Sequence, residues 1–242
     1  MTRNSEFIKH KPCPNCGSKD NLAEYTDHDY CFGCGFTSKS KPRIRTTDDK
    51  TRPVSIALPD DCEPYIPAIA SDWMNQYGIT QNELIANRVL YSESRTLLVF
   101  PYFASHNQLL GWQGRYFGTN PKHPKWFTKG YIKDFIHILN LDKARKSGTI
   151  VYVEDIVSAI KVGRVYGSVP VFGSFINRTH SIRLGKLGIT KFLCWLDPDK
   201  FRESHKFARE INDMGYKAYV VESDKDPKDY STDNIKLMRL LS

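Results

Sequence analysis

From Thr149 onward, short apolar runs alternate with segments whose apolar residues recur at helical spacing. Thr149–Val153, Val169–Phe172, Lys191–Leu196 and Lys217–Val221 are predicted strands. Ile156–Tyr166, Ser181–Leu187 and Phe201–Met214 are predicted helices, the last stopped by Gly215. The runs VFG (Val171–Gly173) and FLCWL (Phe192–Leu196) are apolar without alternation, as expected of strands covered on both faces. Strands alternating with helices predict an α/β fold with a parallel sheet over residues 148–242.

The pattern upstream is different. Ser71 or Asp72 is expected to cap a short helix through Trp73, Met74 and Tyr77 that ends at Gly78. Thr80 with Glu83 forms a capping box for a second helix carrying Leu84, Ile85 and Val89. Leu97–Phe103 and Leu109–Phe117 read as strands around the polar turn Ala104–Gln108, and a basic, aromatic stretch follows from Pro121 to Lys133. Residues 62–147 are thus expected to form a basic α+β subdomain. Residues 37–61 are rich in Pro, Ser and charge without a sustained period, which predicts a linker. Residues 1–36 contain few aliphatics and cannot bury enough surface to fold unaided.

Cysteine spacing explains how that first segment folds. CPNC at Cys13 and Cys16 and CFGC at Cys31 and Cys34 are two short knuckles fourteen residues apart, each aiming two thiolates at one tetrahedral cation. Gly17, Gly33 and Gly35 allow the tight backbone such knuckles need. Zinc suits an all-sulfur site, and four protein ligands make it structural. The competing reading is four structural thiols or two disulfides. Zinc binding of this kind supplies about 10–16 kcal/mol to folding.

Composition narrows the partners. The chain has 242 residues, with 35 Lys and Arg against 27 Asp and Glu, a formal charge of +8 that favours an anionic partner such as nucleic acid. The N-terminus, MTRNSEFIKHKP, lacks an apolar run followed by a cleavage site, and no stretch approaches about eighteen apolar residues, so neither a signal peptide nor a membrane span is expected. Cys62 and Cys194 are left as free thiols, which points to a reducing, cytoplasmic setting.

Acidic residues cluster where an α/β sheet presents its ligands, at the carboxyl ends of the strands. Glu154 ends the first strand, Asp197 and Asp199 end WLDPD, and Asp226 follows the last strand. If the extended conformation persists, Asp197 and Asp199 point to one face. Like charges ~5 Å apart repel by about 3 kcal/mol at an effective dielectric near 20, a penalty that a divalent cation removes. Oxygen ligands suit magnesium or manganese. The competing reading makes Asp197 a turn residue, Asp199 the cap of the Phe201 helix and Glu154 a loop charge.

VYVEDIVSAIKV, WLDPD and SDKDPKDYS together resemble the Toprim domain of primases and of some topoisomerases, nucleases and recombination proteins. The order of four-cysteine ribbon, linker, basic subdomain and Toprim resembles bacterial and phage DNA primases, above all the primase half of phage primase-helicases. The resemblance implies that Glu154, Asp197, Asp199 and Asp226 hold one or two magnesium or manganese ions. FPYFASHNQLLGWQGRYF and PKWFTKG resemble the primases' N-terminal polymerase subdomain, which implies that Gln113, Arg115, Lys122 and Lys125 contact nucleotide and template. It implies a single-stranded DNA template, ribonucleoside triphosphates, and a separate replicative helicase and DNA polymerase as partners, since no GxxxxGK[ST] P-loop is present, and it leans towards a phage origin. Trp112, Trp126 and Phe127 either stack bases or fill the core. His28 and Asp29 either touch bases or are solvated loop residues.

Two positions depart from the family. Ser158 stands where cellular primases place a further aspartate, and the last motif reads Asp226-Pro227-Lys228, with Asp229 one place late. A second metal would then be held more weakly, or through Asp229 and water. Two other functions use the same carboxylates: a metal-dependent nuclease and a non-catalytic recombination mediator. The subdomain between ribbon and Toprim favours synthesis over both. A topoisomerase would need a strand-passage gate and a nucleophilic tyrosine, and neither is evident.

Overall fold

The structure, a computed structural model, describes residues 7–25, 28–39, 56–104, 107–130, 132–173 and 178–238. The expected linker falls mostly on residues 40–55, and the tip of the 104–108 turn on residues 105–106; both lie outside the described residues. The chain divides into two compact units, Met1–Val54 and Ser55–Ser242.

The first unit is an antiparallel meander of β1 (Phe7–Lys11), β2 (Leu22–Tyr25), β3 (His28–Cys31) and β4 (Thr37–Lys39), in that order. Among its described residues, the buried apolar cluster is Cys13, Leu22 and Cys31, with Phe36 against it. Asp29 is not a solvated loop residue: it lies in β3, buried, and its Oδ2 accepts from Lys11 Nζ (3.1 Å) and Ser38 Oγ (2.9 Å). His28 also lies in β3, its ring stacked on Tyr25 at 4.7 Å.

The second unit opens with a five-stranded antiparallel sheet, β5 (Cys62–Glu63), β6 (Leu90–Ser92), β7 (Leu97–Phe103), β8 (Leu109–Tyr116) and β9 (Trp126–Gly130), paired in chain order. Two helices, α1 (Ala68–Gln76) and α2 (Gln81–Ala86), precede β6. The α2 capping box forms as expected, with Thr80 and Glu83 bonded reciprocally. The α1 start does not: the helix begins at Ala68 after Pro67, with no side-chain cap, and Ser71 Oγ instead donates to the Ala68 carbonyl. Pro67 stands at the cap with extended backbone (φ −67°, ψ 161°) and no N–H of its own to satisfy, so the helix starts there without a hydroxyl cap.

After α3 (Leu141–Ser147) comes a four-stranded parallel sheet with order β11-β10-β12-β13. Its strands are β10 (Thr149–Val153), β11 (Gly167–Pro170), β12 (Lys191–Cys194) and β13 (Lys217–Val220). The helices are α4 (Ile156–Gly163), α5 (Arg178–Lys186), α6 (Phe201–Asn212) and α7 (Thr232–Leu237). All five residues of β10 are buried. Val151 and Val153 join a core with α1, α2, β7 and α4, whereas Ile150 and Tyr152 join one with α6. One strand thus feeds two cores, which is why its sequence shows no alternation. Buried Cys194 is a free thiol pushed up to about 12 by desolvation, and half-buried Cys62 is raised to about 11 for the same reason, so neither is poised as a nucleophile.

Cations at the C-terminal end of α4, Lys161 and the cap residue Arg164, tie the antiparallel part to the parallel sheet. Lys161 Nζ donates to the Tyr77 carbonyl, and Arg164 donates to the Gly78 carbonyl (2.6 Å) and to both Glu83 oxygens (2.6 and 2.7 Å). The carbonyls at the end of α1 thereby find charged donors, where a helix C-terminus favours them. Among the described residues, no helix is long and apolar enough to cross a membrane.

Candidate active site

The chain leaves β10 for β11 on one side and returns to β12 on the other, so β10 and β12 flank the switch point of the sheet. Ligands of parallel sheets enter there. Glu154 follows β10 directly; Asp197 follows β12 after Trp195 and Leu196. Glu154 Oε2 and Asp197 Oδ1 are both buried and lack a hydrogen-bond partner. Asp226 is carried to the same end by the loop after β13, which is anchored by Trp195: its Nε1 donates to Ser223 Oγ (2.9 Å), which donates to the Lys225 carbonyl (3.0 Å).

Asp199 behaves differently from its sequence expectation. The extended backbone does not persist, because Pro198–Lys200 is a 3₁₀ turn leading into α6. Asp199 is largely exposed and pairs with Lys200 Nζ at 3.0 Å, while its charge still acts on Glu154.

Lys228 stands among the other carboxylates. Its Nζ lies 2.7 Å from Asp226 Oδ2, 3.0 Å from Asp155 Oδ2 and 3.7 Å from Asp197 Oδ2, with only 16% of the side chain exposed. Burial opposes its charge, but Asp155, Asp226 and Asp197 outweigh that and raise its pKa. Asp155 is the N-cap of α4, accepting from Ser158 N (2.9 Å) and Ser158 Oγ (3.2 Å). Asp229 is exposed, and its charge reaches Tyr77 and Lys161.

This electrostatic setting fits a cation. Desolvation pushes the Asp197 carboxyl up to about 7, with Asp226, Asp155 and Glu154 adding to the effect and Lys228 opposing it. Glu154 is raised too, by burial first and then by Asp199 and Asp155. Two orphaned carboxylate oxygens in a repulsive, half-buried setting are what a hard divalent ion satisfies. Among the described residues, these carboxylates do not already converge as an ion's ligands; Lys228 intervenes.

Arg115 and Gln113 share one face of β8. The Arg115 guanidinium lies 5.0, 5.6 and 5.9 Å from the rings of Trp73, Trp126 and Phe117, and Arg115 Nε and Gln113 Oε1 are buried without partners. Lys122 and Lys125 are exposed on the connection from β8 to β9. Trp126 and Phe127 are half-buried. Trp112 is a core residue, packed with Leu97 and Val99, its Nε1 donating to the Ala57 carbonyl at 2.9 Å; it is not free to stack on a base. Tyr77, expected only as a residue of the first helix, also bears on the site: burial raises its hydroxyl, which feels the charges of Lys228, Asp229 and Asp155 as well as that of Arg115.

In the first unit the four thiols converge, their sulfurs all within 4.8 Å of one another. Cys13–Cys34 and Cys16–Cys31 are 3.8 and 3.7 Å apart. A tetrahedron with ~2.3 Å metal–sulfur bonds has edges of about 3.8 Å, so the cluster is consistent with one structural zinc. Each knuckle closes the same way: Gly17 N donates to the Cys13 carbonyl (3.0 Å) and Gly35 N to the Cys31 carbonyl (2.9 Å). Both glycines have φ near +70°, where a side chain would be strained.

No family model matches the chain, and no curated protein matches it in sequence. Solved structures do match it. The zinc-binding and RNA polymerase domains of the Aquifex aeolicus primase superpose with a TM-score of 0.60 at 13% identity, over 98% of this chain and 80% of that one. The primase fragment of the bacteriophage T7 primase-helicase gives 0.52 at 16% identity, over 97% and 100%. A DnaG primase catalytic domain bound to single-stranded DNA gives 0.54 at 14% identity, over 70% of each chain. The fold of this chain is therefore that of the zinc-binding and RNA polymerase domains of DnaG-type primases.

Proposed function

We propose that this chain is a DNA primase, a DNA-directed RNA polymerase that makes short RNA primers on single-stranded DNA. The observation that carries the reading is the pair of buried, unpartnered carboxylate oxygens on Glu154 and Asp197 at the sheet's switch point, beside Asp226. Nucleotidyl transfer joins a primer 3′ oxygen to the α-phosphorus of an incoming ribonucleotide and expels pyrophosphate. Glu154 and Asp197 are the residues best placed to hold magnesium or manganese, with Asp199 and Asp226 the further carboxylates that the resemblance implies around the ion. Such an ion, when bound, lowers the pKa of the 3′ hydroxyl and offsets charge developing on the phosphates.

The chain's own groups supply the rest. Arg115 and Gln113 have unmet hydrogen-bonding capacity for a nucleotide. Burial among the aromatic rings of Trp73 and Trp126 desolvates Arg115, so its charge is felt more strongly. Exposed Lys122 and Lys125 suit template phosphates, an affinity that falls with salt. The ribbon, tethered by the intervening segment, would present template bases. A separate replicative helicase and DNA polymerase complete the proposed setting.

Purified protein given magnesium, all four ribonucleotides and single-stranded DNA of mixed sequence should yield short labelled RNA. Degraded DNA would favour the nuclease reading instead, and DNA bound but unchanged the recombination mediator.

A further inference from the structure

The carboxylates at the sheet's open end fall into two sets. Glu154 Oε2 and Asp197 Oδ1 are buried without partners, whereas Asp155, Asp226 and the other Asp197 oxygen share one ammonium, that of Lys228. Lys228 sits in the place where the resembling family carries an acid, and Ser158 in the place of another. These two departures meet in space. Ser158 orients Asp155 through its amide and hydroxyl, and Asp155 turns its Oδ2 to Lys228. A position built of acids in the family is here built of a serine, a displaced aspartate and a lysine.

We infer that Lys228 is a tethered cation that takes the place of one divalent ion, so that the acidic site holds a single metal at Glu154 and Asp197. The inference rests on the nucleotidyl-transfer reading for its role in a reaction, but not for the metal count.

Three observations carry it. The ammonium bridges three carboxylates from three separate segments, the N-terminus of α4, the end of β12 and the loop after β13, and it is mostly buried. A surface lysine pairing for solubility has no such reach. Its position is enforced: Pro227 is buried and starts the 3₁₀ turn Pro227–Asp229, which folds the lysine back onto Asp226 two residues before it. Charge balance is the third. Glu154, Asp155, Asp197, Asp199 and Asp226 are five carboxylates, and Lys228 and Lys200 are two cations paired with them, leaving an excess of three negative charges. One divalent ion nearly neutralises that excess, whereas a second would leave the site positive before any phosphate arrived. Lys228 is on this account a positioning residue, holding Asp226 and Asp155 without a metal.

Manganese titration of the zinc-loaded 242-residue chain, followed by loss of the free-ion electron paramagnetic resonance signal, tests it. The wild type should bind one Mn²⁺ per chain. Lys228→Met should bind two, because Asp155 and Asp226 lose their counter-cation; should that variant not fold, Lys228→Gln carries the same expectation. Lys228→Arg, which keeps the charge, should bind one. Two ions on the wild type, or one on every folded variant, would overturn the inference. A wild type that makes primers yet binds two ions defeats the inference alone. One that binds a single ion, gains a second in Lys228→Met and makes no primers defeats only the primase reading.

Discussion

Asp197→Asn should abolish primer synthesis while leaving the fold intact. The substitution keeps the shape of a half-buried side chain but removes the charge that, on the proposed reading, would face a cation beside Glu154. A bound divalent ion contributes several kcal/mol of charge stabilisation, and ~4 kcal/mol corresponds to roughly a 10³-fold loss in rate. Stability should move the opposite way in metal-free protein. The carboxyl titrates at about 7 in the folded chain, against roughly 3.9 unfolded. The folded state therefore binds the proton more tightly. Its contribution is complete below pH ~4 and is lost as the pH rises through about 7. After allowance for solvent screening, Asp197→Asn should be more stable than wild type by on the order of 1–2 kcal/mol at pH 8, and no different at pH 4. Chemical denaturation at the two pH values checks this, and magnesium should close the gap by stabilising the wild type alone. Primer yields within tenfold of wild type would refute the role given to Asp197.

Cys16→Ser should strip the zinc and unfold only the first unit. Among its described residues that unit buries few apolar side chains besides Cys13, Leu22, Ala23 and Cys31, so the metal is expected to supply most of its stability, about 10–16 kcal/mol for such sites. The Ser55–Ser242 unit has its own cores and should melt unchanged. Zinc content should fall from one per chain to none, amide exchange should accelerate across residues 7–39, and synthesis from natural start sites should cease. Full zinc content in the variant would remove the case for the ribbon.

How much of this was legible beforehand varies with the physics involved. The knuckles could be read because tetrahedral thiolate geometry demands a fixed local spacing, and the structure places the four sulfurs accordingly. The parallel sheet was equally plain, since Ile150–Val153 and Phe192–Trp195 are apolar on both faces. Thr80 and Glu83 announced α2 through a four-residue motif. What failed needed longer-range information. Periodicity does not reveal that Pro67 rather than Ser71 starts α1, or that Pro198 turns Asp199 into a 3₁₀ helix and towards Lys200. β9 was hidden in a run of lysines and aromatics because it is an edge strand with an exposed end. Lys228 looked like a missing acid; only the fold brings it between Asp155 and Asp226, which are seventy-one positions apart in the chain. Pro227 beside it was the one local clue that the chain turns there.

Anomalous diffraction from crystals grown with manganese tests most directly whether a divalent ion lodges between the ends of β10 and β12. A peak in contact with carboxylate oxygens of both Glu154 and Asp197 is the predicted result. Manganese touching neither residue, in protein from the same preparation that makes primers, would contradict it.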